Sequence, residues 1–103
     1  MLLTSLSFRT QPHKRDEVLS VVDDIVTRMR VAPGCTRTRL LADIEDANAF
    51  NVNAEWLTPT DAEDFFKSRE FQIFKGIRML LRDDPVIVLD TVAGRVTRPV
   101  QGR

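Results

Sequence analysis

The chain has 103 residues, 43% hydrophobic and 29% charged, which is enough for one globular domain and leaves no room for a second. Fifteen basic and fifteen acidic residues cancel, so neither nucleic-acid phosphates nor an anionic membrane surface is expected as a partner. The single cysteine, Cys35, excludes an intrachain disulfide. With no run near the ~18 apolar residues of a membrane span, a cytosolic address is expected.

In chain order, Leu2, Thr4, Leu6 and Phe8 alternate with Leu3, Ser5, Ser7 and Arg9, the period of a half-buried strand. Pro12 ends it and can open a helix. From Pro12 to about Arg30 the residues Val18, Val21, Val22, Ile25, Val26 and Met29 fall on one helical stripe, stopped by Ala32-Pro33-Gly34. β-branched residues are poor helix formers, so burial of that stripe has to hold this helix.

A second strand is expected from about Cys35 to Asp43, then a turn near Glu45-Asp46-Ala47 and a third strand from Asn48 to Trp56. The third strand carries Phe50, Val52, Ala54 and Trp56 on one face and Asn51, Asn53 and Glu55 on the other, and the short connection makes the two strands a hairpin. If odd residues pair with odd, Arg37 and Arg39 share the face of Glu55; a slip of one residue reverses this.

Thr58-Pro59-Thr60-Asp61 is a helix start, with Thr58 as N-cap and Pro59 at the first helical position. Ala62, Phe65 and Phe66 form its buried side. After a break near Ser68, Phe71, Phe74, Ile77 and Leu81 predict a helix over about 70–81, ended by Asp83-Asp84-Pro85. Val86 to Val92 completes the chain as a fourth strand.

The order β-α-β-β-α-β predicts an α+β, ferredoxin-like antiparallel sheet with helices on one face. In this topology the fourth strand lies at an edge. Val86 and Val88 point one way and Ile87 and Leu89 the other, so both of its faces are apolar. The domain's own helices can shelter one face, and a second copy of the chain is the simplest cover for the other, which predicts a homodimer.

Trp56, Phe65, Phe66, Phe74 and Met79 could line an apolar pocket between sheet and helices, suited to a small planar aromatic ligand. The competing reading makes them the core of a small domain. Glu55 is the one candidate general base, provided it is desolvated and lacks a cationic neighbour. His13, the only histidine, sits at a helix start and is expected in solvent. One His and one Cys far apart make no metal site, and the chain has no phosphate loop, no nucleophile elbow and no tyrosine.

The run Ala32-Pro33-Gly34-Cys35, then Phe50 through Glu55-Trp56, then Ala62, Phe65, Ser68 and Phe71, then Asp84-Pro85, resembles the antibiotic biosynthesis monooxygenase family over about residues 2–94, leaving 95–103 as a basic tail. The resemblance implies a dimeric α+β barrel and, as activity, a cofactor-independent, monooxygenase-like reaction of an aromatic phenol, quinol or anthrone with O2. A non-catalytic ligand-binding or regulatory homodimer of the same fold is the alternative. The family's haem-degrading branch is disfavoured. Lys75 stands where that branch carries its iron-ligating His, Ser5 or Ser7 where it carries an Asn, and Phe65 where many members carry a His.

Overall fold

A computed structural model describes residues 1–94, 96 and 98–100; most of the basic character expected of the tail, at Arg95 and Arg103, lies outside the described residues. Four strands, β1 (Leu2–Arg9), β2 (Cys35–Ala42), β3 (Ala49–Trp56) and β4 (Val86–Thr91), form one antiparallel sheet in the order β2-β3-β1-β4. Three helices, α1 (Arg15–Arg30), α2 (Pro59–Phe66) and α3 (Arg69–Lys75), and two short 3-10 turns at Pro12–Lys14 and Arg78–Leu80 complete the chain. This is the ferredoxin-like α+β arrangement that the element order predicts.

Alternation in the sequence sets the sheet's two faces. Leu2, Leu6 and Phe8 of β1 and Phe50, Val52, Ala54 and Trp56 of β3 turn toward the helices and are buried. Val18, Val22, Ile25, Val26 and Met29 of α1 meet them. Each such side chain contributes roughly 1.5–3 kcal/mol by leaving water, which offsets the weak helix propensity of the β-branched stripe. The hairpin register is odd with odd: Arg37 pairs with Glu55 and Arg39 with Asn53, after a bulge between Cys35 and Arg37.

The turn into β2 depends on Gly34, which has φ +78° and whose carbonyl accepts from Leu57 N at 2.8 Å. A Cβ at this position would overlap the Asp61 carboxylate. Thr58 caps α2 as expected, accepting from Asp61 N at 3.2 Å, and Ser68 caps α3, accepting from Phe71 N at 3.4 Å.

The long helix expected over 70–81 is shorter. It ends at Lys75, where Gly76 N donates to Gln72 O and Ile73 O, and a 3-10 turn follows. Glycine's low helix propensity at this point outweighs the apolar stripe. Phe71, Phe74 and Leu81 still reach the core, Leu81 through an isolated bridge with Thr10.

The early end of α3 leaves β4 bare. Helices pack over β1, β2 and β3, whereas all six residues of β4 are exposed. The expectation that the domain's own helices would shelter one face of this strand is therefore corrected: on the helix side Ile87 is 37% and Leu89 50% exposed. Where a longer helix would have covered β4 there is a cleft.

Candidate functional site

All six phenylalanines and the one tryptophan form a single chain of contacts beneath the helices. Trp56 meets Phe65 and Phe66 at centroid distances of 5.8 and 6.1 Å, Phe66 meets Phe71 edge-on at 4.9 Å, Phe71 stacks with Phe74 at 5.7 Å, and Phe74 meets Phe8, which stacks on Phe50. Trp56 is completely buried, its Nε1 donating to Thr4 Oγ1 at 3.0 Å. Such ring pairs favour the tilted and edge-on geometries seen here and contribute about 0.5–1.5 kcal/mol each beyond area burial.

The Phe71–Phe74 section of the aromatic chain is buried and backs a cleft. The cleft, of about 280 Å³, opens between Leu6 of β1 and Ile87 of β4 on the sheet side and Phe71, Phe74 and Lys75 of α3 on the helix side. Arg78, Leu81 and Pro85 close its end. The volume is at the small end for ligand sites and suits a compact flat molecule. Its walls are mostly carbon, and the two polar side chains in its lining are Lys75 and Arg78. Arg78 Nε donates to Asp84 Oδ1 at 2.5 Å and Nη1 to the Leu81 carbonyl at 3.4 Å. No hydrogen bond or ion pair ties the Lys75 side chain among the described residues.

The connection that closes the cleft is pinned to the end of β1. Arg82 N donates to Arg9 O at 2.8 Å, Gln11 N to Leu80 O at 3.0 Å, and the Arg9 guanidinium to the Asp83 carboxylate. The Arg9 hydrogen bond and charge hold the Asp83 carboxyl below its ordinary range.

Of the residues the sequence nominates for a pocket, Phe74 is on the cleft wall. Phe65 instead borders a separate depression of about 340 Å³ with Arg28, Pro33, Asp61 and Asp64. Trp56 and Phe66 lie within the aromatic chain and line none of the main cavities among the described residues. Met79 is a correction: it is 85% exposed, on the 3-10 turn Arg78–Leu80 that follows α3. Only its carbonyl is engaged, accepting from Gln11 Nε2 at 2.8 Å.

Glu55 projects from the sheet face opposite Trp56, 3.9 Å from Arg37. The condition set for a general base, a carboxylate without a cationic neighbour, is not met. His13 is exposed, and Cys35 is half-buried with its sulfur 3.1 Å from Thr38 Oγ1. Among the described residues no group of three or more His, Cys, Asp or Glu is placed to hold a metal. The cleft lining contains no His, Cys, Tyr or carboxylate, so its donor set does not fit a haem iron, and Lys75 offers a cation in place of an imidazole.

Sequence reasoning passed over Lys75 and Arg78 as cleft residues. Their signal was the spacing 71, 74, 75, 78, which runs a basic edge along the aromatic stripe.

Two wider depressions, about 420 and 470 Å³, lie on the open sheet face. That face reads in rows across the strands: Arg37, Glu55, Leu3, Asp90; then Arg39, Asn53, Ser5, Val88; then Leu41, Asn51, Ser7, Val86. At its centre Asn51 Nδ2 donates to Ser5 Oγ and Ser7 Oγ at 2.8 and 2.7 Å.

A four-stranded antiparallel sheet with helices on one face defines a ferredoxin-like α+β fold. The chain belongs to the antibiotic biosynthesis monooxygenase family, whose model matches residues 1–76. A solved antibiotic biosynthesis monooxygenase is 23% identical, with a TM-score of 0.83 over 91% of this chain and 100% of that one. Candidate monooxygenases of the same kind from Nitrosomonas europaea (14% identity, TM-score 0.84, 91% of this chain and 100% of that one) and Deinococcus radiodurans (12%, 0.89, 96% and 99%) share the fold. No curated protein matches it. No helix among the described residues is long and apolar enough to cross a membrane.

Proposed function

We propose that the protein is a cofactor-independent monooxygenase that takes a small aromatic phenol, quinol or anthrone-type substrate into the cleft between α3 and the β1–β4 edge, and that it works as a cytosolic homodimer. The observation that carries the reading is the cleft itself, a mostly carbon-walled slot flanked by Phe71 and Phe74 in a chain of monooxygenase family. Flat aromatic rings gain from stacking or edge contact with both phenylalanines.

With no carboxylate or imidazole on the cleft wall, the substrate's own acidity has to supply the anion. The Lys75 and Arg78 cations favour the ionised form, and the proton leaves to water. The electron-rich anion then reacts with O2. For an anthrone, the ring methylene becomes a carbonyl holding one oxygen atom, and the second oxygen leaves as water with the two methylene hydrogens, the substrate itself being the reductant.

The homodimer reading rests on the open face and on β4, whose Val86 and Val88 are 56% and 47% exposed on that face. A two-fold axis parallel to the strands sets β2 of one copy over β4 of the other. Arg37 then faces an Asp90, with Arg39 one row away. A two-fold perpendicular to the strands would instead set Asp90 over Val86 and Arg37 over Leu41, leaving both charges without a partner across the interface, so the first arrangement is favoured.

The test is oxygen uptake in air with a panel of quinols and anthrones, comparing the native protein with Ile87→Trp, which fills the cleft from an exposed strand position. Faster uptake by the native protein supports the enzyme. Equal rates remove it, and binding of the same compounds without turnover would favour a ligand-binding dimer.

A further inference from the structure

We infer that the cleft is selective for charge as well as shape, and that its ligands are flat aromatics bearing an anionic group at the edge that reaches Lys75 and Arg78. The inference deepens the reading above, since it takes the cleft as the ligand site and names the class of molecule that fits it.

Four observations lead there. Both polar side chains in the lining are cations, and no acidic side chain lines the cleft. Lys75 has no carboxylate partner among the described residues, although fifteen acidic residues are available in the chain. Asp84 engages Arg78 only at Nε, from a side chain 88% exposed, and Nη1 reaches the Leu81 carbonyl only at 3.4 Å, so Nη2 is left to a ligand. The walls behind the cations are Leu6, Phe71, Phe74, Leu81 and Ile87, which exclude water from one side of any ion pair formed at the rim and so strengthen it.

The competing role for Lys75 is to complement the C-terminal end of α3. That role predicts a stability effect and no ligand preference, so the two are separable by experiment. The wider depressions on the open sheet face differ in kind, since Arg37 and Arg39 are there accompanied by Glu55 and Asp90.

Equilibrium dialysis of the full chain against 2-naphthoate and its neutral isostere 2-naphthamide, followed by naphthalene fluorescence, tests the inference. The two probes share ring and volume and differ in charge. The native protein is expected to bind 2-naphthoate at least about tenfold more tightly, a preference that shrinks with added salt. Lys75→Met should reduce the preference to about twofold while leaving 2-naphthamide binding in place. Arg78→Met should act in the same direction, and Ile87→Trp should weaken both probes. Equal affinities in the native protein, an unchanged preference in Lys75→Met, or 2-naphthoate binding indifferent to Ile87→Trp would each overturn the inference. Oxygen uptake plays no part in this measurement, so a charge preference without turnover would sink the enzyme reading alone, and turnover of neutral quinols without a charge preference would sink this inference alone.

Discussion

The Trp56 indole nitrogen and the Thr4 hydroxyl lie 3.0 Å apart in a part of the core closed to water, joining β3 to β1 side chain to side chain. Thr4→Val keeps the shape and deletes the acceptor. The stranded N–H should cost about 1–3 kcal/mol, measured by denaturant unfolding, with a shift in Trp56 emission. Trp56→Ala should cost more, about 3–5 kcal/mol, from the cavity it leaves. For that reason a change at this residue cannot serve as a clean activity control.

Gly34→Ala places a methyl group against the Asp61 carboxylate and forces a left-handed conformation on a residue that disfavours it. A loss of at least about 1–2 kcal/mol is expected. In Gly34→Ala/Asp61→Ala the overlap with the carboxylate is gone, while a 2.7 Å approach to the Cβ of residue 61 and the backbone strain remain, so the two changes should be non-additive in thermal melts.

Asp83 has its pKa depressed in the folded state by the Arg9 hydrogen bond, so its contribution is present above the unfolded carboxyl value and is lost as pH falls through the lowered folded value. Asp83→Asn should lower the Tm at pH 7 by about 1–3 °C, in keeping with an exposed pair. The difference from the native protein should close at pH values below the ordinary aspartate range of about 4.

Asp90→Arg places a cation opposite Arg37 in the proposed dimer. Light scattering at micromolar concentration should show the dimer dissociation constant rising about tenfold or more, and Arg39→Asp/Asp90→Arg should recover part of the loss. A native protein that is monomeric under these conditions would remove the dimer itself.

The sheet and the Thr58 cap were legible because each depends on short-range patterns: alternation in Phe50 to Trp56, and a threonine three residues before Asp61. The hairpin register was not, since alternation alone allows a slip of one residue, and the structure sets it odd with odd. The cleft was less legible, since it depends on where a helix stops. Phe71, Phe74, Ile77 and Leu81 read as one continuous stripe, and only Gly76 marks the place where the chain leaves it. Met79, nominated for the pocket wall, lies instead on the exposed 3-10 turn, while Lys75 was weighed only as a replacement for an iron ligand and Arg78 was not singled out. Trp56, the most prominent residue in the sequence, packs against Phe65 and Phe66 rather than lining the cleft.

Ile87 belongs at once to the cleft wall and to a strand that leans on β1 alone. The slot therefore has one firm jaw, α3 anchored by Phe71 and Phe74, and one jaw only as steady as an unclamped outer ribbon. Anything that grips β4 from outside also tightens the bite on a ligand, and by thermodynamic reciprocity a bound ligand should steady β4 for its neighbour.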